Sequence, residues 1–145
     1  MKSTLILAAM LAMTISGFAF EPNVNEKVLN LFNKTFSSAE HVKWDEFKNY
    51  YSVRFIHNGI RTIVNYDKAG NMMSAIRYYH PDMLPLNIIG KMKKDYPAAS
   101  LFGVTEITVN NDVSYFVKLE EKNHWLTLKV SPSCDTEVFE RYRKG

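Results

Sequence analysis

The chain has 145 residues, of which 46% are hydrophobic and 23% charged, so it is too apolar for disorder and long enough for one ordinary domain or two very small units. A single Cys excludes an internal disulfide and any multi-cysteine metal site, and a net charge of +3 is too small to point to nucleic acid. The first segment reads as an export signal rather than as part of the fold. Lys2 gives a charged start, Leu5 to Ile15 is apolar apart from Thr14, and Gly17-Phe18-Ala19 is a small-x-small cleavage site. The run is shorter than the roughly twenty apolar residues of a membrane span. Residues 1–19 are therefore expected to be a signal peptide, and the rest an exported protein, periplasmic or extracellular, with no transmembrane segment.

After the leader, Val24, Val28, Phe32 and Phe36 recur every four residues with Leu29 beside them, which predicts an amphipathic helix ending at Ser37-Ser38. Asn23 followed by Glu26 resembles a capping box. Four strands follow. Val42 and Trp44 alternate, then Tyr51, Val53 and Phe55, then Thr62, Val64 and Tyr66, then Met72 to Tyr79. Asn58-Gly59 is a two-residue hairpin signal, because both residues accept positive φ, and Asp67-Lys68-Ala69-Gly70 makes the next turn. His80-Pro81-Asp82 is a short linker. A second helix carries Leu84, Ile88, Ile89, Met92 and Tyr96 on one face, with Pro85 in its first turn and Pro97 ending it. Four more strands are expected over Val104–Val109, Val113–Leu119, Trp125–Val130 and Thr136–Arg143.

Sliding the chain against itself brings the two halves into register. At a shift of 60, Val28 meets Ile88, Phe32 meets Met92, Phe36 meets Tyr96, Val53 meets Val113 and Phe55 meets Tyr115. Beyond residue 60 the shift is 64, and Val64 meets Leu128, Arg77 meets Arg141 and Tyr78 meets Tyr142. The four additional residues are expected in the turn at Glu120-Glu121-Lys122-Asn123, the counterpart of Asn58-Gly59. The expected fold class is α+β: two tandem units, residues 22–79 and 84–143, each a helix plus a four-stranded antiparallel meander, sharing one curved sheet with the helices on one face. A unit of about sixty residues is marginal alone and safer when paired.

Alternation assigns the remaining strand residues to the second face of the sheet. Its candidate binding residues are Arg54, Ile56, Arg61, Ile63 and Arg77 in the first half and Phe116, Lys118, Trp125, Lys129 and Arg141 in the second. Aromatic and Arg side chains are the usual anchors of protein interfaces. Ile56, Ile63, Phe116 and Trp125 together would form an exposed apolar patch. The same mixture also fits a solvated face whose Arg and Lys stems cover apolar neighbours.

No catalytic residue, metal site or cofactor motif is assigned. His80-Pro81-Asp82 is the one His–carboxylate pair read as having metal spacing, Asp45-Glu46 and Glu120-Glu121 are neighbours that point to opposite faces of a strand, and Cys134 falls in a turn opposite Gly70. The chain is thus expected to bind a protein or peptide partner through its sheet, not nucleic acid. The other reading is a small anionic ligand or an envelope polymer.

The run Phe36-Ser37-Ser38-Ala39-Glu40-His41-Val42-Lys43-Trp44 resembles the aromatic-x-x-Ala-x-x-Val-x-Trp start of PepSY-like proteins, and Val64-Asn65-Tyr66-Asp67-Lys68-Ala69-Gly70-Asn71-Met72 is similar to their strand–Asp-Lys-x-Gly–strand segment. Over residues 22 to 143 the resemblance is to the secreted group called beta-lactamase-inhibitor-like (BLIP-like), PepSY-like proteins. It implies the tandem helix-plus-meander fold and a periplasmic protein. It carries over no catalytic residues, because the group has no assigned activity. The second half departs from the pattern, with Val104 where the first has Trp44 and Cys134 where it has Gly70.

Overall fold

The structure, a computed structural model, describes residues 22–145. The expected signal segment lies outside them. The chain runs α1 (Glu26–Thr35), β1 (Glu40–Glu46), β2 (Tyr50–His57), β3 (Ile60–Asp67), β4 (Met72–Tyr79), then α2 (Leu86–Asp95), β5 (Ser100–Val109), β6 (Asp112–Glu120), β7 (His124–Val130) and β8 (Thr136–Arg143). The eight strands form one antiparallel sheet in sequence order, open at β1 and β8, so the class is α+β. No helix among the described residues is long and apolar enough to cross a membrane.

Both helices begin later than their sequence signals suggest, α1 by two residues and α2 by one. The N-cap of α1 is Asn25, whose side chain accepts the Lys27 N–H at 2.8 Å, so Asn23 caps nothing. Glu26 in the first turn and Lys34 in the last complement the helix dipole. Pro85 is the N-cap of α2 rather than a first-turn residue, and its carbonyl accepts from Ile88 and Ile89. The linker is a single 3-10 turn, Pro81–Met83, with Pro81 buried.

Two apolar clusters form beside the sheet. In the first, Val28 and Phe32 of α1 meet Tyr51, Val53, Phe55, Val64 and Tyr66. Phe32 is its centre, with ring centroids 5.2 Å from Trp44 and 5.0 Å from Phe55, both edge-on. Its burial contributes about 2–3 kcal/mol. In the second, Ile88 and Met92 of α2 meet Val104, Val117, Leu119, Leu126, Leu128 and Val130. Directly paired residues of a ladder share a face. Val53 opposes Val64, Val64 opposes Ala75, and Ala75 alternates with Arg77 and Tyr79 along β4. Tyr79 opposes Val104, which opposes Val117, which opposes Leu128. This row defines the core side of the sheet; the other is the outer side.

Register also locates the additional residues of the second half. Trp44 opposes Val53 in β1–β2, and Val104 opposes Val117 in β5–β6. Val53 therefore matches Val117, not Val113, and Phe55 matches Leu119, not Tyr115. The four extra residues lengthen the β5–β6 hairpin rather than the β6–β7 turn. That hairpin closes on Asn110 and Asn111, both at positive φ, a turn signal of the same kind as Asn58-Gly59.

The turn after β3 matches the turn after β7 bond for bond. Gly70 N donates to Asp67 O at 3.1 Å, and Cys134 N donates to Ser131 O at 2.9 Å. Both residues are left-handed, at φ +94 and +71. Gly70 is the more demanding of the two, because a Cβ there would sit 3.0 Å from Cδ1 of Leu31. We expect Gly70→Ala to cost about 1–2 kcal/mol, from left-handed strain and this contact. Urea denaturation measures it; an unchanged midpoint would show that the turn relaxes freely.

Candidate functional site

The residue pairs that cross the ladders sort the ten predicted binding residues. On the outer side one row reads Ile56, Arg61, Tyr78, Thr105, Phe116, Lys129, Glu137 across seven strands. A second row reads Lys43, Arg54, Ile63, Ile76, Ile107, Ser114. A third joins Gly103, Lys118, Thr127 and Glu140, and next to it Glu120, Trp125 and Tyr142 line up. Arg54, Ile56, Arg61, Ile63, Phe116, Lys118, Trp125 and Lys129 thus lie on the outer side.

Arg77 and Arg141 do not. Arg77 opposes buried Thr62, and Arg141 opposes buried Leu126, so both stand on the core side. The cause is a bulge in each strand. Asn65 opposes Ser74 while Tyr66 opposes Met72, which leaves Met73 unpaired, and Glu140 and Val138 oppose neighbouring residues of β7, which leaves Phe139 unpaired. One extra residue reverses the alternation. Tyr79, in β4 with Arg77, and Arg143, in β8 with Arg141, move with them.

The expected apolar patch is also divided. Ile56 and Ile63 sit half-buried on β2 and β3, and Phe116 and Trp125 half-buried on β6 and β7. Between the two pairs is a groove of about 470 Å³ lined by Arg61, Tyr78, Phe102, Phe116, Lys118 and Glu140, among others. The Arg61 guanidinium lies 4.8 Å from the centre of the Tyr78 ring. Lys118 Nζ lies among three rings, 4.7 Å from Trp125 and 5.7 Å from both Phe102 and Tyr142. Phe102 meets Trp125 edge-on at 4.9 Å, and Phe139 meets Phe116 the same way at 4.9 Å.

The ion pairs of this side are peripheral. Arg54 bonds Asp45 at 2.7 Å, Lys129 reaches Glu137 at 3.3 Å, and Lys144 holds Glu120 at 2.6 Å. Among the described residues, no acid pairs with Arg61 or Lys118. The alternation did not select Phe102, Tyr78 and Glu140, which line the groove, or Tyr142, whose ring faces Lys118. Phe102 is a bulge residue, set between Leu101 opposite Leu119 and Gly103 opposite Lys118. The other three required the true register of β4 and β8.

On the core side a polar cluster lies on the β4–β5 ladder. Glu106, with its side chain 13% exposed, accepts from Arg77 Nη1 at 3.0 Å and from the Tyr79 hydroxyl at 2.7 Å. A carboxylate this buried needs both partners. Burial, then the hydrogen bond to Glu106 and its charge, hold the Tyr79 phenol far above its ordinary range. Burial and the same charge raise Tyr115. The chemistry here is cohesion: the Arg77 cation neutralises one carboxylate and, with the Tyr79 hydroxyl, orients it. His80 Nδ1 and Asp82 Oδ1 meet at 2.9 Å, but both side chains are about 70% exposed.

The fold is similar to that of BLIP-like α+β sheet proteins. Solved structures similar to it include a BLIP-like protein from Bacteroides fragilis (TM-score 0.62, 16% identity, 83% of this chain and 88% of that one). A DUF2874 family protein from Bacteroides ovatus is similar at TM-score 0.62 and 17% identity, over 84% and 89% of the two chains. A candidate periplasmic protein from Bacteroides eggerthii gives TM-score 0.62 and 15% identity over 84% and 90%. No protein-family model and no curated protein matches the chain.

A raised phenol stabilises the fold fully below its unfolded value, about pH 10, and the contribution is lost as pH rises toward the folded value. Wild-type stability should therefore fall above about pH 10. Tyr79→Phe should cost about 1–2 kcal/mol at neutral pH, from the lost bond to Glu106, and should show a shallower alkaline decline. Urea denaturation across pH measures both, and equal alkaline slopes would remove Tyr79 from this role.

Proposed function

We propose that this chain is an exported, periplasmic, non-catalytic binding module that holds a protein or peptide partner in the outer-side groove. In this reading residues 22–79 and 84–143 are tandem units, each helix covers its own meander on the core side, and the outer side stays free. The observation that carries the proposal is Arg61 and Lys118, two cations bedded on aromatic rings in one groove without an acid partner. Rings beneath them exclude water and keep the charges available to a carboxylate from outside. The exposed rings of Phe102 and Phe139, 57% and 62% accessible, supply apolar contact around them. The partner best matched is an acidic segment bearing apolar or aromatic side chains.

The similarity to candidate periplasmic and BLIP-like proteins supports the compartment and the binding role. Inhibition is a narrower reading of the same contact and is tested by adding the captured enzyme's activity as a readout. Trp125→Ala and Arg61→Glu should each reduce capture of a partner from periplasmic extract about tenfold or more, the size expected of central interface residues. Recovery of the same partners at the same strength by both variants would sink the proposal. A contact dominated by area should hold up as salt rises, whereas an anionic polymer should be released steeply.

A further inference from the structure

The core side carries a second cavity, on the opposite side of the sheet from the groove and built from α1, β2, β3 and β4. It has a volume of about 290 Å³ and is lined by Phe36, His57, Ile60, Thr62, Val64 and Arg77, among others. At about 30 Å³ per water, that is room for about ten non-hydrogen atoms. Its walls are of two kinds. Phe36, Ile60 and Val64 are apolar, and the Phe36 ring stands edge-on to His57 at 5.4 Å. Arg77 and buried Thr62, directly opposed across β3 and β4, are polar.

The other half of the sheet shows what an arginine at this position binds. Arg141 opposes Leu126 on β7 and β8 as Arg77 opposes Thr62 on β3 and β4. Glu121 starts the turn after β6, as His57 ends β2 before the matching turn. There the carboxylate is internal: Arg141 Nη2 binds Glu121 Oε2 at 3.1 Å. In the first half the carboxylate is replaced by His57, and a cavity occupies the space beside the arginine. Glu106 does not fill it. It lies across β4 on β5 and engages Arg77 through one nitrogen. A guanidinium has five N–H donors, so several remain. The hydroxyl of Thr62 makes only a long contact, 3.3 Å to the Ile60 carbonyl, and can rotate to donate elsewhere.

We propose that this cavity binds a small monocarboxylate with an apolar body. Its carboxylate takes the place at Arg77 that Glu121 takes at Arg141, with Thr62 as second donor. Its body lies on Phe36, Ile60 and Val64. The site is separate from the outer-side groove, and either can fail without the other.

Octanoate has the required length and charge, and 1-octanol has the body without the charge. Isothermal titration of the purified protein should show octanoate binding below about 1 mM and at least about tenfold weaker binding of 1-octanol. His57→Glu should restore the internal carboxylate of the other half and weaken octanoate by about tenfold or more. His57 borders an exposed hairpin, so this variant should keep the far-UV circular dichroism of the wild type. Arg61→Glu and Trp125→Ala should leave octanoate affinity unchanged. No octanoate binding by the wild type, equal affinity for 1-octanol, equal affinity in a folded His57→Glu variant, or loss of octanoate in Arg61→Glu would each overturn the proposal.

Discussion

Six residue pairs between β4 and β5 turn two separate cores into one sheet. Every other ladder lies within one half of the chain. Two of the six, Ser74–Val109 and Ala75–Thr108, depend on the residues that lengthen the β5–β6 hairpin. The other half has no such extension, and β1, the strand in the matching place, is an edge. The extra residues therefore lengthen the seam. Glu106 lies opposite Arg77 in the same ladder, and its bonds to Arg77 and Tyr79 fix the side chains where the two apolar clusters meet. An unpartnered carboxylate there would be costly, so the seam is specific as well as cohesive.

The bulges do the other half of the construction. Sequence alternation reads strands well where pairing is regular, which is why Arg54, Ile56, Arg61 and Ile63 are legible around the Asn58-Gly59 hairpin. The helices are legible for a similar local reason, the four-residue recurrence of Val24, Val28, Phe32 and Phe36. A bulge is one residue without a partner, and nothing in the local pattern marks it. Met73 and Phe139 reverse the faces of Arg77 and Arg141, and Phe102 precedes the expected start of β5 altogether. Yet Phe102 and Phe139 place exposed rings beside Trp125 and Phe116. Of the irregularities that defeat sequence reading, Phe102 lines the groove and Phe139 backs its wall at Phe116, as bulges that re-aim side chains commonly do.

The groove and the core side use arginine differently. In the groove Arg61 rests on Tyr78 and, among the described residues, forms no ion pair with an acid. On the core side Arg77 and Arg141 each meet a carboxylate, from Glu106 across β4 and from Glu121 in the neighbouring hairpin. The matching of Arg77 to Arg141 was readable in the sequence. The partners were not, because Glu106 lies across the seam and Glu121 becomes a partner only through the β7–β8 register.

The strict order of strands also sets how the chain assembles. Seven ladders join neighbours in sequence, and six of these close through short turns. Only β4 and β5 are separated by a helix and a linker, from Tyr79 to Ser100. Low sequence separation favours rapid folding, and the cost of closing a loop rises with its length. Each run of four strands can therefore zip up hairpin by hairpin. The seam joins the ladder with the longest connection in the sheet, and closing that connection is the largest loop-closure term among the seven strand pairings.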